Sequence, residues 1–206
     1  MKHAVILAHP KPRSFCASIA KTCVEELRGL GHSADLRDLY AMGFDPCLKA
    51  EEIPTDEGFR AGRDVAAERT RLADVDSFIF VYPFWFNAPP AMLKGYVDRV
   101  FGMKFGYAPG FGGTEPLLRG KTLMSFSTSG APDQWVNSTG ALTTLMAGFD
   151  MHLAAVCGLT VRNHVHFGGI VSNMEEEPAQ AMLDQVQEKL RLTFPKAAAA
   201  GLRSVP

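Results

Sequence analysis

The chain predicts a single α/β domain over residues 1–195, a doubly wound five-stranded parallel sheet flanked by helices, with a tail at 196–206. Short runs that are apolar at every position, AVILA (4–8) and SFIFVY (77–82), suit strands buried on both faces better than half-exposed ones. Each is followed by a stretch with apolar residues at helical spacing, an alternation that implies right-handed crossovers. No repeat or linker interrupts the pattern, and 206 residues at 47% hydrophobic content suffice for one full core.

In chain order, Ser14 can cap a helix in which Phe15, Ile19, Cys23, Leu27 and Leu30 share a face, and Gly31 closes it. SADLRDL (33–39) alternates as an outer strand does. The polar stretch 49–62 leads into a helix at DVAAERTRLADVD (64–76). After the second buried strand, Pro89 and Pro90 open a helix over AMLKGYVDRVFG (91–102), where proline is tolerated in the first turn. KTLMSFST (121–128) is the next strand, residues 140–157 form one apolar helix, LTVRNHVHF (159–167) is the fifth strand, and residues 178–194 form an amphipathic helix. The acids at 175–177 suit its positive N-terminal end.

Net charge is -1, which excludes a basic field able to hold nucleic acid or an anionic membrane surface. Cys16, Cys23, Cys47 and Cys157 are scattered, without CxxC pairs, as in a reducing compartment. His9 and Pro10 interrupt the first apolar run before it could form a signal-peptide core or a membrane span. A cytoplasmic location is expected.

Open sheets of this kind bind ligands beyond the carboxyl ends of their strands, where the strand order reverses. With an order of 2-1-3-4-5, three loops would meet there. HPKPRS (9–14) lacks the glycine patterns of dinucleotide and P-loop sites, but offers His9, Lys11, Arg13, the Ser14 hydroxyl and a helix start suited to phosphate. YPFWFNAPP (82–90) sets three aromatics between prolines, where ordinary turns use Gly, Asn, Asp or Ser. STSGAP (127–132) brings small side chains and approachable backbone. Taken singly, these loops read equally as solvated charges, a core or dimer contact, and a plain turn. Their convergence on one sheet edge favours a site.

The combination of HPxPxSF, DLYAMGFDP (38–46), DVAAERTRLADVD, YPFWF with PPAMLKGYVDRVF, and STSGA resembles the flavodoxin-like NAD(P)H:quinone oxidoreductases, the DT-diaphorase group with its bacterial relatives. The resemblance spans residues 4–167 and agrees with the sheet derived above. It implies a flavin, with NAD(P)H and a quinone-like acceptor as successive co-substrates in one pocket, and a homodimer whose second subunit completes that pocket. On the resemblance, His9, Arg13, Ser14, Phe15 and Cys16 hold the phosphate and ribityl portion. Pro83, Phe84, Trp85, Phe86 and Asn87 line the ring, Thr128, Ser129, Gly130 and Ala131 bond its pyrimidine side, and Tyr107 stands at the substrate pocket. The segment after DLYAM is short, which favours FMN over the alternative, FAD.

One departure is chemical. The better-known members place Tyr and His after the third loop, whereas APDQWVNSTGALTTL (131–145) has Trp135 near the tyrosine position and no histidine. The backbone N–H groups of Gly130 and Ala131 are then expected to stabilise reduction, with no titrating side chain at that loop and little pH dependence. His164 and His166 stand at strand spacing but lack the partners of a metal site. Lys94 and Arg99 are expected on a solvated helix face, and Cys16 is expected to be a packing residue. The alternative function is a flavin-binding regulatory subunit of the kind that serves potassium-efflux systems.

Overall fold

The computed structural model describes residues 1–55 and 58–197; residues 198–206 of the expected tail lie outside that range. Along the chain run β1 (Lys2–Leu7), α1 (Phe15–Gly29), β2 (Ser33–Asp38), α2 (Arg63–Leu72), β3 (Ser77–Pro83), α3 (Ala91–Val100), a hairpin of β4 (Tyr107–Gly110) and β5 (Gly113–Pro116), and β6 (Thr122–Thr128). Then follow α4 (Asp133–Ser138), α5 (Ala141–Leu145), a π-helical segment (Met146–Met151), α6 (His152–Cys157), β7 (Thr160–Phe167) and α7 (Glu176–Thr193). The sheet order is β2-β1-β3-β6-β7, all parallel, which is the order expected once the hairpin is set aside.

Alternate side chains of the central strands feed two cores. Ile6, Phe78, Phe80 and Tyr82 pack with Leu93, Tyr96 and Phe101 on one face, while Val5, Ile79, Val81 and Phe126 pack on the other with Ile19 and Leu27 of α1 and Val186 and Leu190 of α7. Because both faces are covered, β3 and β6 are buried at every position. The α1 cap is as expected: Ser14 Oγ accepts from Ala17 N at 3.1 Å, and Gly31 turns the chain out with φ +81°.

The structure corrects three expectations. The β4–β5 hairpin was not anticipated, because FGYAPGFGGTEP (105–116) has no apolar alternation and is largely exposed. The helix expected over 140–157 is interrupted by a π-helical segment, whose wide turn carries Asp150 fully inside. Arg99 is not on a solvated face. Lys94 is exposed and pairs with Asp98 one turn on, but Arg99 points into the protein and is 3% exposed. Its guanidinium meets both Glu52 carboxylate oxygens at 2.8 Å, Asp64 at 2.7 Å and the Asp45 carbonyl at 2.6 Å, and it stacks over Phe44. It ties the irregular segment before α2 to α3. Helical spacing alone cannot separate a solvated arginine from one that meets a distant carboxylate.

Candidate functional site

The strand order brings the three loops together at the carboxyl ends of β1, β3 and β6. Phe84 N donates to Thr128 O, Ala8 N donates to Val81 O at 3.0 Å, and the His9 ring lies 5.8 Å from that of Trp85. A cleft of about 430 Å³ opens between the second and third loops, lined by Phe84, Phe86, Asn87, Ser129, Gly130, Ala131, Trp135 and Val136. Of the expected site residues, six therefore share one cavity besides Trp135.

The aromatic turn is strained. Trp85 and Ala88 exchange both backbone hydrogen bonds, at 3.1 and 3.0 Å, so Phe86 and Asn87 form a two-residue turn with φ +49° and +56°. That conformation normally selects Gly or Asn. Phe86 occupies it although fully exposed, and Trp85 and Trp135 are 44% and 52% exposed. Nothing in the protein core requires an aromatic here.

The backbone around the cleft is equally unspent. The N–H groups of Phe86, Asn87, Gly130 and Ala131 have no hydrogen-bond partner among the described residues. A Cβ added at Gly130 would meet only Ile170 O, at 3.7 Å, and its φ is not left-handed. Neither packing nor backbone geometry demands glycine, so the open space above it is left for something outside the protein.

At the first loop, α1 presents the N–H groups of Phe15 and Cys16, because Ser14 caps only Ala17. His9 Nδ1 accepts from Lys11 N at 3.0 Å, which places the neutral ring's hydrogen on Nε2, and burial pushes its pKa below the usual histidine range. His9 is thus a neutral donor at physiological pH. Arg13, on the same loop, is exposed. Phe15 packs edge-on against Phe167. The Cys16 thiol faces inward, 3.2 Å from Thr128 Oγ1, and burial pushes it up to about 11. Such a thiol is inert, as a packing residue should be. Pro83 is buried at the end of β3. Tyr107 stands apart: it lines a second cavity, of about 240 Å³, with Phe101, Phe149 and His152.

The third loop has no histidine of its own, but a titratable side chain reaches it from the neighbouring strand. β7 runs beside β6 in a register that pairs Ser125 with His164 and Ser127 with His166. Ser129 Oγ lies 2.9 Å from His166 Nε2 and Ser127 Oγ 2.8 Å from His166 Nδ1 and 2.7 Å from His164 Nε2; His164 Nδ1 then meets Asp150. Sequence reading missed Asp150, Ser125 and Ser127. The signal was the period-two serines of SFSTS facing the period-two histidines of HVH across adjacent strands.

A family model described as having a flavodoxin-like fold matches residues 1–190, and the chain belongs to that family. A Haemophilus influenzae protein named as an uncharacterized NAD(P)H oxidoreductase is 30% identical over 190 residues, covering 92% of this chain and 94% of the relative. The solved NAD(P)H:quinone oxidoreductase from Methanothermobacter marburgensis superposes with a TM-score of 0.75 at 28% identity, over 93% of this chain and 96% of that one. An FMN-dependent NADH-azoreductase from Bacillus anthracis, solved with FMN, shares the fold with a TM-score of 0.70 at 18% identity, over 93% and 99% of the two chains. Among the described residues, no helix is long and apolar enough to cross a membrane.

Proposed function

We propose that the protein is a flavin-dependent NAD(P)H oxidoreductase that reduces quinones or similar conjugated acceptors by two electrons, with FMN as the favoured flavin. The observation that carries the reading is the cleft at the switch point. Exposed aromatics flank it, one of them, Phe86, in a strained turn, and four backbone donors without a partner among the described residues lie around it. Its dimensions and donor set suit a flat ring with a polar edge, and the nearby α1 N-terminus suits a phosphate. The names of the relatives support the same activity.

A bound flavin would supply the two-electron hydride chemistry that links a dihydronicotinamide to the second substrate. The chain's own contribution is placement and charge. Phe15 N–H, Cys16 N–H and the His9 Nε2–H would hold the phosphate, with Arg13 adding positive charge and the Ser14 hydroxyl still free to donate. Trp85 and Phe86 would offer the ring flat apolar surface and exclude water from it. Gly130 and Ala131 present fixed N–H dipoles to developing negative charge, which need no reorganisation during reaction. The Trp135 indole, half exposed at the rim, is the side chain assigned to contact an incoming substrate.

The purified protein is expected to be yellow and to oxidise NAD(P)H steadily when menadione is added, with the parallel double-reciprocal plots of a shared pocket used in turn. No oxidation above the flavin-only blank, after flavin is added back, would reject the proposal.

The active species is proposed to be a homodimer. Phe86 and Trp135 otherwise leave a contiguous apolar surface in water, which monomers rarely do, and Tyr107, half-buried on its hairpin, comes to the cleft only if another surface joins the two cavities. Light scattering at assay concentration is expected to give twice the 22.4 kDa chain mass. Full activity at the monomer mass would contradict it.

A further inference from the structure

The hydrogen-bonded row beneath the third loop is not needed to form the fold. Its polar members sit between β6, β7 and the π-helical segment, where apolar side chains would fill the space without any requirement for partners. Asp150 is wholly buried, with one oxygen accepting from Ser125 Oγ at 2.7 Å and the other from His164 Nδ1. From there the row passes through Ser127 and His166 to Ser129, which lines the cleft.

Counting hydrogens along this row gives two complete arrangements. With Asp150 as carboxylate and both rings neutral, each donor points inward: Ser129 to His166 Nε2, His166 Nδ1 to Ser127, Ser127 to His164 Nε2, and His164 Nδ1 to Asp150. Each imidazole then carries its hydrogen on Nδ1. With one proton added, the hydroxyl directions reverse: His164 Nε2 donates to Ser127, Ser127 to His166 Nδ1, His166 Nε2 to Ser129, and Ser129 to the Ala131 carbonyl 2.9 Å away. The added charge then rests on His164 beside the Asp150 carboxylate. Every pair along the row from Ser129 to Asp150 is bonded in both arrangements, Ser129 donating to the Ala131 carbonyl only in the second, and no heavy atom has to move.

We propose that Asp150, His164, Ser127, His166 and Ser129 form a proton wire that stores one proton at the His164–Asp150 pair and exchanges it with the cleft through Ser129. The wire deepens the reading given above and rests on it only for what takes the proton. Hydride brings two electrons and one proton, so quinone plus NAD(P)H needs one further H⁺ to give hydroquinone and NAD(P)⁺. That H⁺ leaves from the Ser129 hydroxyl to the reduced acceptor's anionic oxygen. His166, Ser127 and His164 each pass one proton outward, which leaves both rings neutral, and water reloads the wire.

The groups that face the rings are few. His166 has Asp133 and His164 as charged or titratable neighbours, and Phe84 edge-on; burial pushes its pKa below the usual histidine range, so it rests neutral near pH 7. His164 has Asp150 and, edge-on, Tyr82, whose hydroxyl is buried without a partner among the described residues and whose pKa burial and Asp150 push well up. Tyr82 therefore stays neutral. The Asp133 carboxylate accepts from Gly168 N at 2.7 Å, outside the row.

The test is long-range proton–nitrogen spectroscopy of the full-length protein as purified, labelled at histidine and titrated between about pH 5 and 8. Both rings should carry their hydrogen on Nδ1 at the basic end and should respond to acid with one common midpoint, because a single proton is shared. Ser127→Ala removes the link without touching either ring. His166 should then titrate alone, with its midpoint lower by about one pH unit, a tenfold loss of proton affinity, and His164 should no longer follow it. The pH profile of menadione reduction should lose the wild-type inflection in the same variant. Separate midpoints in the wild type, an Nε2–H tautomer at His166 at the basic end of the titration, or coupling that survives Ser127→Ala would each overturn the wire. Should that variant fail to fold, the wild-type titration decides. Failure to oxidise NAD(P)H would reject the functional reading and leave the titration to judge the wire.

Discussion

Arg99→Met is expected to destabilise the fold by about 3–5 kcal/mol, because it strands a buried carboxylate. Glu52 is 6% exposed, and both its oxygens meet the Arg99 guanidinium at 2.8 Å; Gly62 N and Lys49 N are its other donors. Methionine keeps the stem's packing against Phe44 but supplies no charge. In a chain of this size the loss lowers the melting temperature by about 6–20 °C.

Glu52→Gln in the Arg99→Met background should recover part of it, since an unpaired amide is less costly to bury than an unpaired carboxylate. The pH dependence has a defined sign. Hydrogen bonds from Arg99, chiefly, hold the Glu52 pKa below the usual carboxylate range. Its stabilisation is therefore present above the unfolded-state pKa and lost as pH falls through the depressed one. In Arg99→Met the lone carboxylate is relieved by protonation, so the gap between variant and wild type should narrow as the solution is acidified. Urea unfolding at neutral and acidic pH measures both. Loss of less than about 1 kcal/mol would mean that the cluster behaves like a surface pair.

Arg99 also illustrates where sequence reading stops. The sheet was legible because a strand buried on both faces leaves a local mark, apolar at every position, and AVILA and SFIFVY carry it. The aromatic loop was legible because it interrupts a strong pattern with residues that turns do not ordinarily use, and the other two only because the strand order made them its neighbours. Pairings between distant segments left no such mark. Glu52 and Arg99 are 47 positions apart, and His164 and Asp150 are 14 apart on elements of different type. Asp150 reaches His164 only because the helix widens into a π turn. HVH was visible as two histidines on one strand face, but what they face is decided by the register with SFSTS. The absence of a histidine in the third loop was read correctly, yet a neighbouring strand supplies one.

Phe86→Gly is expected to stabilise the protein while weakening the site. A side chain held at φ +49° costs about 1–2 kcal/mol relative to an unstrained residue, and glycine returns about 0.5–1 kcal/mol of that as extra freedom of the unfolded chain. Phe86 is fully exposed, so its removal forfeits no core contact. A net gain of about 0.5–1 kcal/mol follows, seen as a melting temperature higher by about 1–4 °C in the flavin-free protein. The same substitution removes the flat surface beside the cleft. If a bound ring covers Phe86, losing that burial costs about 1.5–3 kcal/mol of binding, so flavin should be held about 10–100-fold less tightly. Phe86→Ala separates the two effects, because it deletes the ring but keeps a Cβ in the strained turn: binding should fall as in the glycine variant, without the gain in stability. Flavin retained at wild-type affinity in both variants would place the ring elsewhere. A glycine variant no more stable than alanine would mean that the turn carries no strain, and Phe86 would then need no functional reason to occupy it.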